Sequence, residues 1–415
     1  MSDSKTFECS FCGKKKHQVK KLIDGGNDVC ICDECITICA RIIVDDTPNA
    51  AKEILDTGKV PTPREIKEHL DQYIIGQDHA KMVVSVAVNE HYKRLANPIV
   101  DDVELEKSNI LLLGPSGSGK TLIAQTVAKL LDVPLAIADA TSITEAGYVG
   151  DDVETIVTRL LHVANFDIKK AERGIIYIDE VDKKARKSEG TSITRDVSGE
   201  GVQQSLLKLI EGDIVRVPMN GGRKHPNAEA AEVNTKNILF ICGGAFVGLD
   251  KIIEKRIGSN IKSIGFGAKV DTTEMHINEL LSKVEPDDLV SFGMIPEFIG
   301  RLPVITHLEE LTEDQLIHVL TKPKNAVVKQ FQKMFKLEDI ELEFDEKALM
   351  HIAKLAKDRK TGARGLRSVI EQKLIHVKFE LPDLSESGIR KIIIDESTVT
   401  NNTKPVFIDK NGTIS

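Results

Sequence analysis

The stretch NILLLGPSGSGKT constrains this chain more than any other. Four apolar residues, Ile110 to Leu113, run straight into a glycine-rich loop, and LIAQTVAKLL follows with helical spacing. Gly114 to Thr121 fit GxxxxGK[ST], a loop that cradles phosphates between a strand and a helix. Glycines let backbone N–H groups close around phosphate oxygens, and the next helix presents its positive end there. Candidate nucleotide contacts are therefore Gly114, Pro115, Ser116, Gly117, Ser118, Gly119, Lys120, Thr121 and Leu122. Lys120 is expected to reach the β- and γ-phosphates, and Thr121 to supply a hydroxyl for Mg²⁺.

A second apolar run, GIIYIDE, ends in adjacent acids. Asp179 at the strand end is expected to hold the Mg²⁺ shell, and Glu180 to polarise the attacking water. An acidic pair after a strand is commonplace by itself, but beside a phosphate loop it points to ATP hydrolysis. Arg301 in IPEFIGRLP and Arg364 in TGARGLR follow later in the chain. Phosphoryl transfer gains from a cation supplied late, often by a neighbouring subunit, so both are candidates for that role.

NILLLG, GIIYIDE and NILFICGG alternate with helical patterns. Uninterrupted apolar runs that each feed a helix predict an α/β fold with a parallel sheet covered on both faces. From Thr312 the pattern turns helical, with the strand-like IELEF and KIIIDE embedded in it. The expected organisation is a Cys-rich module over 1–47, a linker over 48–64 and a large α/β ATPase domain over 65–308. A smaller, mainly helical domain over 309–400 and a flexible tail over 401–415 complete it. At 415 residues the chain exceeds one ordinary core, which agrees with several domains.

Six of the seven cysteines fall between Cys9 and Cys39. Cys9 and Cys12 form one CxxC, Cys32 and Cys35 another, and this spacing reads as a four-thiolate Zn²⁺ site. Cys30 is a rival for Cys32, which is preferred because it completes the CxxC. Cys39 and Cys242 read as small buried residues. No apolar leader heads MSDSKTFECSFCGKKK and no run is long enough to span a bilayer, so the expectation is a cytoplasmic protein, with the bacterial cytosol favoured over an organelle matrix. The net charge of −8 argues against a general nucleic-acid binder.

GPSGSGKT, IIYIDE, PEFIGR and GARGLR, in this order, resemble an AAA+ ATPase. LDQYIIGQ, GYVG, SITRDVSGEGVQQSLLKLIEG, GGRKHP and IGFG narrow the resemblance to the ClpX unfoldases of the Clp/Hsp100 group, over nearly the whole chain. The resemblance implies a ring hexamer that unfolds tagged proteins with ATP and feeds them to the ClpP peptidase. It implies that Ile74 and Ile75 pack against adenine, that Arg301 acts across the subunit interface, and that Arg364 senses nucleotide. Tyr148 and Val149, between two glycines, then become a pore loop that grips polypeptide through an apolar and aromatic surface. Arg195 matches a second pore loop, and Arg223, Lys224 and His225 a basic loop at the pore entrance. Ile264, Gly265 and Phe266, set in KSIGFGAK, match the peptidase-docking loop, and an exposed apolar tripeptide suits docking. The Cys module matches the family's dimerising, adaptor-binding domain. Two other functions stay open on the residues alone. One is a peptidase-independent remodelling chaperone, which the IGFG loop disfavours. The other is a zinc-bearing, DNA-directed ATPase such as a helicase loader, which the acidic composition disfavours.

Overall fold

Two short strands, β1 (Leu22–Asp24) and β2 (Cys30–Cys32), pair antiparallel, with Leu22 opposite Cys32 and Asp24 opposite Cys30. They belong to a computed structural model that describes residues 8–15, 18–24, 29–36, 60–97, 103, 105–144, 152–186, 199–218, 230–262, 277–359, 361–401, 403–410, 412 and 413. The chain divides into two units between Lys59 and Val60. In the first unit the buried centre is Cys9, Cys32 and Cys35, with half-buried Val19, Leu22 and Ile31 against it.

The second unit starts with α1 (Pro63–Asp71). Thr62 and Glu65 satisfy each other's backbone N–H groups in a capping box, and Pro63 opens the helix where its missing N–H costs nothing. Ile66 and Leu70, one turn apart, are its buried face. Helix α2 (Asp78–Ala96) follows. The chain then builds β3 (Ile110–Leu113), α3 (Lys120–Leu131), β4 (Leu135–Asp139), α4 (Glu154–Val163), β5 (Ile175–Asp179) and α5 (Glu200–Glu211). A hairpin of β6 (Ile214–Pro218) and β7 (Ala230–Asn234), then β8 (Leu239–Gly244) and β9 (Val304–His307), complete this region.

Five of these strands form one sheet in the order β4-β5-β8-β3-β9, and every neighbouring pair is parallel. Ile110 of β3 lies opposite Ile241 on one side and Val304 on the other. All four residues of β3 and all six of β8 are buried, as continuous apolar runs require of strands covered on both faces. From β3 the chain crosses to the far edge at β4, while β9 lies on the other side of β3. A ligand is expected beyond the carboxyl ends of the strands at such a switch point, where the glycine-rich loop stands.

One glycine in the sheet is set by tertiary contact alone. A Cβ on Gly243 of β8 would stand where the buried Tyr177 side chain of β5 now lies, against its hydroxyl and 3.0 Å from Cζ. Gly243→Ala is expected to destabilise the protein by about 1–3 kcal/mol, the usual cost of overpacking a core. Adding Tyr177→Phe should return part of that loss in thermal melting. If Gly243→Ala melts with the wild type, the contact does not constrain the position.

From Thr312 another capping box, shared with Gln315, opens α6 (Glu313–Thr321). Then come α7 (Val327–Lys336), β10 (Glu341–Phe344), α8 (Glu346–Asp358), α9 (Ala363–Glu386) and β11 (Ile389–Ile394). Phe331, Phe335, Ile352, Leu366 and Ile392 meet in a core distinct from that of the five-stranded sheet. The segment expected as a flexible tail departs from that expectation. Val406–Asp409 form β12, antiparallel to β11, with Phe407 opposite Ile392. Phe407 packs half-buried on this second core, so the segment has both a ladder and an apolar anchor. Among the described residues no helix is long and apolar enough to cross a membrane.

Candidate functional site

The loop after β3 folds around one ammonium group. Lys120 Nζ donates to the carbonyls of Gly114 and Pro115 at 2.7 and 2.9 Å. Gly114 extends the β3–β8 ladder, its N–H donating to the Gly244 carbonyl at 3.1 Å. The first intrahelical bond of α3 runs from the Ile123 N–H to the Gly119 carbonyl, so the N–H groups before it face out of the helix end. Lys120 is buried, and burial lowers its pKa, although the charges of Asp179 and Asp182 act against that shift. A phosphate placed here would find a positive helix end and a poorly hydrated cation together.

The acid pair stands beside this loop. Thr121 Oγ1 donates to Asp179 Oδ2 at 3.2 Å, giving a hydroxyl and a carboxylate side by side, the donor set that suits Mg²⁺. Glu180 adopts a left-handed backbone, with φ +56°, and its N–H donates to Asp179 Oδ1 at 3.0 Å. A non-glycine residue held in this region stores strain, and such strain collects at functional sites. Its carboxylate is exposed to a cavity of about 400 Å³.

The helical region closes that cavity. Ser116, Gly117, Lys120, Thr121, Asp179 and Glu180 line one part, and Ala363 and Arg364 from the start of α9 line another. The Ala363 N–H donates to the Gly117 carbonyl at 3.4 Å. Gly117 has φ +78°, and a Cβ there would lie 2.7 Å from the Thr361 carbonyl oxygen. Only glycine permits both that turn and that approach. Gly119 and Leu122 also line the cavity, as do Gln125 and Ala245, which sequence reasoning did not single out.

Gln77 was likewise missed, although it stands in the YIIGQ segment. Its buried side chain donates to the carbonyls of Ser118 at 3.4 Å and Glu309 at 2.9 Å, and accepts from the Glu309 N–H at 2.8 Å. One amide thus ties the phosphate loop to the chain where it leaves the sheet. A glutamine amide can donate and accept at once, and that chemistry was the available signal. Ile74 is buried, Ile75 is half-buried, and neither is among the residues that line the phosphate cavity. Their turn is pinned by buried Lys81, which pairs with Asp71 and donates to the Ile74 carbonyl at 3.4 Å.

Arg301 stands apart from this cavity, in a separate cleft where its Nε donates to Glu211 Oε1 at 2.9 Å. Tyr148, Val149, Arg195, Arg223, Lys224, His225, Ile264, Gly265 and Phe266 all lie outside the described residues.

In the N-terminal unit the sulfurs of Cys9, Cys12, Cys32 and Cys35 lie within 4.8 Å of one another. Cys9 Sγ is 3.8 Å from Cys35 Sγ, and Cys12 Sγ is 3.6 Å from Cys32 Sγ. A tetrahedron of Zn–S bonds near 2.3 Å requires S···S separations of about 3.8 Å, so the group fits Zn²⁺. The N–H groups of Cys32 and Cys35 point at Cys9 Sγ and Cys32 Sγ, at 3.3 and 3.4 Å. Cys30 is buried but outside this group, and its N–H donates to Ser10 Oγ at 3.1 Å.

Residues 105–305 match the AAA domain (Cdc48 subfamily), and residues 311–382 match the C-terminal, D2-small domain of ClpB protein. Residues 8–45 match the ClpX C4-type zinc finger. The chain is 53% identical over 397 residues to the ATP-dependent Clp protease ATP-binding subunit ClpX of Treponema denticola, covering 95% of this chain and 94% of that protein. The chain belongs to the ClpX family. It is an ATPase and not a peptidase. The ClpX assignment joins the four-thiol unit, the parallel-sheet ATPase region and the helical region that closes the phosphate cavity.

Proposed function

We propose that this chain is an ATP-driven protein unfoldase and translocase. It works as a ring of six copies, as the ATP-binding subunit of a Clp protease, and delivers tagged substrates to the ClpP peptidase. The observation that carries this reading is the extent of the likeness: 53% identity to a Clp protease ATP-binding subunit over 95% of the chain. Such a span includes the catalytic region together with the segments read as pore and docking loops.

The cofactors are ATP, Mg²⁺ and Zn²⁺. Lys120 binds the β- and γ-phosphate oxygens, and residues Gly114 to Leu122 wrap them. Thr121 and Asp179 hold Mg²⁺, which supplies charge neutralisation when bound. Glu180 takes the proton from the attacking water. Arg364 reads the nucleotide from the helical side, and Arg301 serves the site of an adjoining copy. Ile74 and Ile75 stand at the adenine. Tyr148, Val149, Arg195, Arg223, Lys224 and His225 handle the polypeptide, and Ile264, Gly265 and Phe266 dock the peptidase. The zinc module, held by Cys9, Cys12, Cys32 and Cys35, receives adaptor proteins. The setting is the cytoplasm.

The test is unfolding of a stable fluorescent protein with a disordered, tagged tail, without peptidase. Fluorescence should fall only with ATP. Tyr148→Ala should hydrolyse ATP yet unfold nothing, because an aromatic grip is lost while the phosphate site is intact. Wild-type ATP turnover with no unfolding of any tagged protein would refute the unfoldase reading, and stimulation by nucleic acid would then point to the DNA-directed alternative.

A further inference from the structure

The Arg301–Glu211 pair is partly open to solvent, with side chains 56% and 42% exposed, but it is supported from below by buried Asn109 and half-buried Lys107. Glu211 is the last residue of α5, and Arg301 caps the helix Pro296–Gly300 just before β9. Asn109, 2% exposed, donates Nδ2 to the Arg301 carbonyl at 2.9 Å and accepts from the Phe240 N–H at 3.2 Å. Asn109 immediately precedes β3, so the strand that ends in the phosphate loop also carries the amide that fixes the Arg301 backbone. On the other side Lys107 Nζ donates to the carbonyls of Ile210 and Thr235, at 3.2 and 3.1 Å, and lies 4.5 Å from the centre of the Phe240 ring. The Ile210 carbonyl belongs to the last turn of α5, where carbonyls lack an intrahelical partner. Lys107 thereby fixes the residue next to Glu211. Both backbones are anchored, and the side-chain ion pair is the part left able to change partners.

We propose that Glu211 is a positioning residue that holds Arg301 retracted, so that the guanidinium must leave this carboxylate before it can serve the nucleotide of an adjoining copy. The proposal rests on the reading of Arg301 as an arginine supplied across the subunit interface. Two physical effects make the carboxylate a restraint. A guanidinium bonded to Glu211 has much of its charge neutralised, and its Nε donor is already used. A carboxylate brought close to a γ-phosphate also repels it. An exposed ion pair is weak enough to be exchanged, and an arginine–phosphate pair with two parallel hydrogen bonds is the stronger partner. Engagement of Arg301 therefore becomes conditional on a loaded neighbour.

Glu211→Gln keeps the shape and the acceptor oxygen but removes the charge. In the full-length assembled protein it is expected to raise kcat for ATP hydrolysis about two- to fivefold, the range an exposed ion pair supplies. A non-hydrolysable ATP analogue should bind the same variant more tightly by a similar factor. The analogue is then titrated against Arg301→Ala with and without Glu211→Gln, a readout that slow turnover does not obscure. Identical affinities in that background support the restraint, because a merely structural role for Glu211 would not depend on Arg301. Unchanged or lowered kcat in Glu211→Gln overturns the proposal. So does an equal gain in analogue affinity with Arg301 removed. Wild-type turnover in Arg301→Ala alone would instead sink the reading of Arg301 itself, and the restraint with it.

Discussion

Glu180→Gln is expected to lower kcat for ATP hydrolysis by about 10²–10⁴-fold, the range a general base supplies, while nucleotide binding stays near the wild-type value. Glutamine has the same shape, so the left-handed turn at this position and the backbone bond to Asp179 Oδ1 should survive the change. The groups that would bind phosphate, Lys120 and the start of α3, are untouched. What disappears is an acceptor able to take a proton from water. Single-turnover hydrolysis and binding of a fluorescent nucleotide separate the two steps. Unchanged turnover would show that another group activates the water, and lost binding would show that Glu180 acts on the fold of the loop instead.

Stripping zinc is expected to unfold the N-terminal unit and to leave the unit from Val60 onward melting as before. The described part of the smaller unit buries little besides Cys9, Cys30, Cys32 and Cys35, with half-buried Val19, Leu22 and Ile31 alongside the ligand group. An apolar centre of that size cannot offset the conformational entropy of ordering the chain. In small zinc modules the metal contributes about 10–16 kcal/mol, which is in effect the folding free energy. Cys32→Ser should act like chelation, because its sulfur stands 3.6 Å from Cys12 Sγ and accepts from the Cys35 N–H. Cys30→Ser should keep its zinc. Metal content and limited proteolysis of the two variants decide the matter. Zinc lost from Cys30→Ser and retained by Cys32→Ser would overturn the ligand set.

The sequence by itself determined the features that are local in the chain. A strand, a glycine-rich loop and a helix occupy consecutive residues from Asn109 to Leu131, so their chemistry is legible from spacing alone. The same is true of the acids after GIIYI and of the two CxxC pairs, whose pairing of Cys32 rather than Cys30 follows from the three-residue step. Continuous apolar runs likewise announce a parallel sheet, because strands covered on both faces have no solvent side to mark.

Only the tertiary structure decided what joins distant parts of the chain. Arg364 enters the phosphate cavity because α9 starts against Gly117, and nothing in the periodicity of either segment records that approach. Gln77 bonds to Ser118 and to Glu309, more than two hundred residues further on. Arg301 and Glu211 meet because Asn109 and Lys107 anchor their backbones at one edge of the sheet. Val406–Asp409 read as an end without structure until β11 offered a ladder and the second core offered Phe407 a place to pack. Residue type and spacing specify what a segment can do, but strand order and domain closure decide which segments it meets. Those depend on burial summed over the whole chain rather than on any one stretch of it.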